Sequence, residues 1–113
     1  MRDALTVLAV LIGLAIPASA QTYIGLGHVS CDSWTQERRA ESSIAQAYTS
    51  WVLGYVSGIN STDVLERRTG DFLQNMSGDG LLASIDQYCA AQPKQTVRNA
   101  AAQLIGTLRS NTH

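Results

Sequence analysis

Ser43–Ile59 reads SIAQAYTSWVLGYVSGI, and this stretch decides the fold. Ile44, Tyr48, Trp51, Val52, Tyr55, Val56 and Ile59 recur at three- and four-residue steps, which gathers them on one face of a helix. Ser50, Gly54 and Gly58 fall at four-residue steps along the same segment. Glycine costs a helix about 1 kcal/mol against alanine. Two glycines here therefore predict a smooth strip where another helix or backbone packs closely.

Working outward, further helical signals stand on both sides. Upstream, Asp32 or Ser33 is placed to cap a first helix over Trp34–Ala40, with Gln36 at capping-box spacing from Ser33. Arg38-Arg39 reads as a solvated face. Downstream, Asn60-Ser61-Thr62 predicts a turn and cap before a short helix around Asp63–Arg68. Asn60 and Asn75 also open N-x-[ST] tripeptides, read here as turn chemistry. Thr69-Gly70 breaks the pattern, and Asp71–Met76 holds Phe72, Leu73 and Met76 at the spacing of one helical turn.

Ser77–Gly80 is a capping loop. Leu81–Ala91 follows with Leu82, Ile85 and Cys89 on one face, and Pro93 ends it. A last helix over Gln95–Arg109 presents Val97, Ala101, Leu104 and Leu108, widened by Ala100 and Ile105, with Arg109 at the favourable dipole end. No strand pattern competes and no internal repeat is present. The fold class expected is all-α: a small bundle of four to five helices with one disulfide.

The first twenty residues read as an address. Met1-Arg2-Asp3 precedes an apolar run over Ala4–Ile16, Pro17 breaks it, and Ala18-Ser19-Ala20 is a small-x-small cleavage site. The run falls short of the roughly 20 residues a bilayer span needs, so no membrane span is expected after cleavage. A periplasmic or secreted location is expected. Residues 21–113 would form a single helical domain, with 21–30 a loose arm that contains His28. In an oxidising compartment two cysteines read as one disulfide, so Cys31 and Cys89 are expected to pair. Their separation of 58 residues is worth about 4 kcal/mol in the chain-entropy model.

Composition excludes more chemistry than it offers. The 113-residue chain has 15% charged residues and a formal net charge of −1, so a basic footprint for nucleic acid is absent. Two cysteines and two histidines, without CxxC or HExxH spacing, point to no metal site. No glycine-rich phosphate loop and no nucleophile elbow appears, so no cofactor is expected. The carboxylates Asp63, Glu66, Asp71, Asp79 and Asp86 read as helix-end charges, with Asp63 and Asp79 as caps. The chain is not expected to be an enzyme, and a small exported chain without catalytic groupings most often binds other proteins.

A Cys opening the first helix, an aromatic-Gly-Tyr second helix, a Cys closing the third, then Pro93 and an Ala-rich last helix resemble the HdeA/HdeB group of periplasmic acid-stress chaperones. The resemblance spans Cys31–Leu108. It implies that Tyr48, Trp51, Val52, Tyr55 and Val56 supply apolar protein-binding surface that is masked at neutral pH and takes unfolded clients in acid. The chain departs from that group in its single lysine, Lys94.

The stretch WVLGYVSGI at Trp51–Ile59 also resembles the aromatic-x-x-Gly-Tyr-x-x-Gly helix of the Rap/Tai immunity proteins, as do Tyr88, Pro93 and Ala101–Ile105. That resemblance implies inhibition of a peptidoglycan-amidase toxin. An accessory secreted structural protein is a third reading, and a homodimer stays open. For the chaperone reading, acid would protonate the carboxylates and leave the cleaved chain at about +10. Repulsion would then favour opening. Only Glu41, Asp63 and Glu66 lie near the central helix in sequence.

Overall fold

A computed structural model describes residues 24–66 and 70–112. The leader expected over residues 1–20 lies outside them, as do Gln21–Tyr23 and Arg67–Thr69. Four α-helices and no strand stand among the described residues: α1 Cys31–Ala40, α2 Ser43–Leu65, α3 Gly78–Ala91 and α4 Val97–Ser110. The chain is a small all-α bundle with one disulfide, as the periodicity predicts.

Each helix begins on a hydroxyl cap. Ser30, Ser42, Ser77 and Thr96 accept backbone N–H bonds from Ser33, Ala45, Gly80 and Asn99 at 3.0–3.2 Å. Each bond satisfies one of the donors that a helix start leaves without an intrahelical partner. Ser30 therefore caps α1 in place of Asp32 or Ser33, and the helix starts three residues earlier than Trp34. The α1–α2 link is two residues long, and Glu41 turns it in the left-handed region at φ 51°.

The largest difference concerns the end of α2. Asn60-Ser61-Thr62 is not a turn; the helix runs on through it for 23 residues to Leu65. Two side chains explain the continuation. Asn60 accepts from the Phe72 N–H at 2.9 Å and donates to Asp71 at 2.8 Å, fastening the 70–76 loop so that Phe72 enters the core. Asp63 is drawn inward to an arginine on α4. Residues 72–75 form turns instead of a helix.

Trp34, Val52, Val56, Phe72, Leu81, Leu82, Ile85, Val97, Ala100, Ala101 and Ile105 close the core. Leu104 and Leu108, expected on the buried stripe of α4, pack at its margin. Full burial of each large aliphatic side chain stabilises the fold by about 1.5–3 kcal/mol. The Cys31–Cys89 disulfide lies within this core and joins the first residue of α1 to α3, with Cα atoms 4.6 Å apart.

The strip predicted at Ser50, Gly54 and Gly58 is not a packing contact within the chain. All three are exposed, and a Cβ added to Gly54 or Gly58 would meet nothing within 4 Å. The helical period puts them opposite the Val52–Val56–Asp63 line that faces the core.

The arm at 24–30 is not loose. Leu26–His28 forms a 3-10 turn, Gly27 is buried, and Val29 accepts from the Val97 N–H at 3.0 Å. A bridge between Ser30 and Thr96, with the Cys31 N–H donating to Gln95 at 2.7 Å, ties the arm to the start of α4.

Candidate functional site

The five residues singled out for protein binding lie along α2 in two layers. Val52 and Val56 are fully buried in the core. Tyr48, Trp51 and Tyr55 are half-buried against it. Trp51 and Tyr55 stack, with ring centroids 4.8 Å apart and planes 11° apart, because i and i+4 side chains meet on a helix. Tyr48 stacks in the same way on Trp34, at 6.4 Å and 11°. The apolar surface these five residues give α2 is thus present and covered, whereas Ile44, expected on the same face, is exposed, as are Val64 and Leu65 near the helix end.

The arm covers Trp51. A Cβ on Gly27 would come within 2.4 Å of the indole Cη2, and one on Gly25 within 2.9 Å of Nε1. Gly25 also holds φ at 114°, a region side chains disfavour. The backbone itself therefore lies against the ring. Two glycines separated by a single residue in an arm, with a tryptophan on the central helix, are the sequence signal for this contact.

Two carboxylate–arginine pairs fasten the helices around α2. Asp63 is the one buried charged residue among the described residues, at 0% exposure. Arg109 donates to both of its carboxylate oxygens, Nε to Oδ2 and Nη2 to Oδ1, each at 2.7 Å. These bonds raise the Arg109 guanidinium above its ordinary pKa, against the opposing effect of burial. Asp63 is therefore not a cap, and Arg109 does more than complement a dipole: together they tie the end of α2 to the end of α4. Both residues sit in register on core-facing lines, Val52-Val56-Asp63 on α2 and Val97-Ala101-Ile105-Arg109 on α4, a placement readable from spacing alone.

The second pair joins α1 to α3. Arg38 donates from Nε and Nη2 to the two oxygens of Asp86 at 2.9 and 2.7 Å, and the buried Trp34 donates its Nε1–H to Asp86 Oδ1 at 2.7 Å. The guanidinium also stands 5.7 Å from the Trp34 ring centroid. Burial pushes the Asp86 carboxyl up, but the bonds from Arg38 and Trp34 and the charge of Arg38 outweigh it and hold it below the usual carboxylate range. Arg38 is thus a partnered residue, unlike the exposed Arg39, and Asp86 is not a bare helix-end charge.

An open cleft of about 600 Å³ lies beside this pair, between α1, α2 and α3, lined among others by Arg39, Glu41, Gln46 and Thr49. Arg38 and Asp86 border it but spend their charges on each other. Among the described residues no three His, Cys, Asp or Glu side chains cluster closely enough to hold a metal ion. No described helix is long and apolar enough to cross a membrane. No protein-family model, curated protein or solved structure matches the chain.

Proposed function

We propose that the chain is a protein-binding module of the HdeA-like kind, which exposes the apolar face of α2 in acid and captures unfolded clients there. One observation carries the reading: the covered face of α2 is flanked by a disulfide that joins α1 to α3 and by a buried carboxylate–guanidinium pair that joins α2 to α4. The disulfide joins α1 to α3 and is indifferent to protonation. The polar tie from α2 to α4 is a carboxylate buried at 0% exposure against Arg109. Protonating Asp63 removes its charge and with it the ionic part of its bond to the partly exposed Arg109 guanidinium. Acid then loosens α2 from α4 while α1 and α3 stay linked, and Val52 and Val56 become available beside Trp51 and Tyr55.

Export fits the same picture, since a disulfide core belongs to an oxidising compartment. The test is capture of an acid-denatured enzyme by the oxidised protein, followed by co-sedimentation across pH 7 to 2. Capture only in acid, abolished by Val52→Ser with Val56→Ser, supports the reading. A tight complex at pH 7 with one periplasmic amidase, and no acid capture, replaces it with the inhibitor reading.

A further inference from the structure

We propose that the arm Gly25–Val29 is an intramolecular stand-in for client, occupying a docking surface on Trp51 that takes a segment of alternating apolar and small residues. The inference rests on the protein-binding reading and names the partner's chemistry at that site. The arm shows what the surface accepts. Its sequence, Ile24-Gly25-Leu26-Gly27, alternates large apolar residues with glycine, and both glycines lie against the indole. Glycine, with no Cβ, allows another surface to approach the backbone closely. Here that surface is the flat indole of Trp51, which stacks on Tyr55 with planes 11° apart. A client residue with a large side chain at the Gly27 position would collide with the ring, so the site selects small residues opposite Trp51.

The arm is also placed to leave. Its backbone anchors lie at its C-terminal end, at Val29, Ser30 and Cys31. Ile24, at the opposite end, is 90% exposed. The disulfide at Cys31 keeps the root of the arm fixed while the part over Trp51 lifts. Lifting uncovers Trp51.

The test uses the oxidised protein with Gly27→Val, and Gly27→Ala as a milder variant that keeps the experiment interpretable should the first fail to fold. Acrylamide quenching of tryptophan fluorescence at pH 7 reads the arm, because Trp34 is fully buried and only Trp51 can gain access. The expected result is stronger quenching with unchanged far-UV circular dichroism. Reduced, carboxymethylated lactalbumin, a permanently unfolded chain, reads docking at pH 7. Its affinity is expected to rise about tenfold, and a synthetic Ile24–Ser30 peptide is expected to compete. Adding Trp51→Ala to Gly27→Val should abolish the gain.

Unchanged quenching in both variants overturns the claim that the arm caps Trp51. Increased quenching without a gain in binding overturns the docking site alone. The acid capture of clients by the wild-type protein is a separate readout, and its absence counts against the chaperone reading instead.

Discussion

Replacing Arg109 with Met should destabilise the oxidised protein strongly at pH 7 and much less in acid. Removing one partner of a buried ion pair costs about 3–5 kcal/mol, because the other charge stays buried. Asp63 is fully buried, whereas the Arg109 side chain keeps 38% exposure, so the desolvation burden falls on the carboxylate. The expected loss for Arg109→Met is about 3 kcal/mol, or a fall in Tm of about 12–24 °C for a domain of this size. Asp63→Asn should cost less, about 1–2 kcal/mol, since the amide oxygen still accepts from a guanidinium that water partly reaches. In Arg109→Met, the cost comes from the charge of the buried carboxylate, which protonation removes. Its penalty is therefore present at neutral pH and shrinks as pH falls toward about 4. Urea unfolding followed by far-UV circular dichroism at pH 7 and pH 4 measures both effects. A loss below about 1 kcal/mol at pH 7, or a larger loss for Asp63→Asn than for Arg109→Met, would refute the reasoning.

Three further outcomes are expected. Asp86 has a folded-state pKa held below its unfolded value. Its contribution is thus present above the ordinary carboxylate range and is lost as pH falls below about 4. Asp86→Asn should cost about 1 kcal/mol at pH 7, discounted for its partial exposure. Asp86→Leu should cost more, because the buried Trp34 N–H then loses its acceptor; equal losses in urea melts would contradict the Trp34 bond. Cys31→Ala with Cys89→Ala should lower stability by about 4 kcal/mol, and a denaturation midpoint unchanged by reduction would remove the disulfide from the stabilising terms. Gly54→Ala should raise stability by about 0.5–1 kcal/mol, because the added methyl meets open space on an exposed helix face. A loss in thermal melts would show that this face is covered.

The fold was legible in the sequence where one physical rule acted alone. The apolar period over Ser43–Ile59 and the stop at Pro93 are local signals, and the helices follow them. The turn expected at Asn60 failed because tertiary partners overrode local chemistry: Asn60 bonds to the 70–76 loop and Asp63 to Arg109. Ser50, Gly54 and Gly58 misled because spacing specifies which residues share a face and not what covers it. The partners of Asp63, Asp86 and Arg38 were harder to see, since each joins residues 46 to 52 positions apart in the chain. Even so, the acidic side chain at Asp63 falls four residues beyond Ile59 on the core-facing line of α2, and such a position marks a buried partner. The arm over 21–30 read as loose, while in the fold Gly25 and Gly27 are its means of close approach.

The most direct measurement is client aggregation at about pH 2–3, where many proteins lose native packing. The oxidised protein is mixed with an acid-sensitive enzyme and light scattering is followed, with Val52→Ser, Val56→Ser as the comparison. Suppression near stoichiometric amounts by the wild type, and not by the double variant, is the expected result. Undiminished scattering, with the protein itself still folded or precipitated alongside the enzyme, would contradict the proposal that acid opens α2 to unfolded clients.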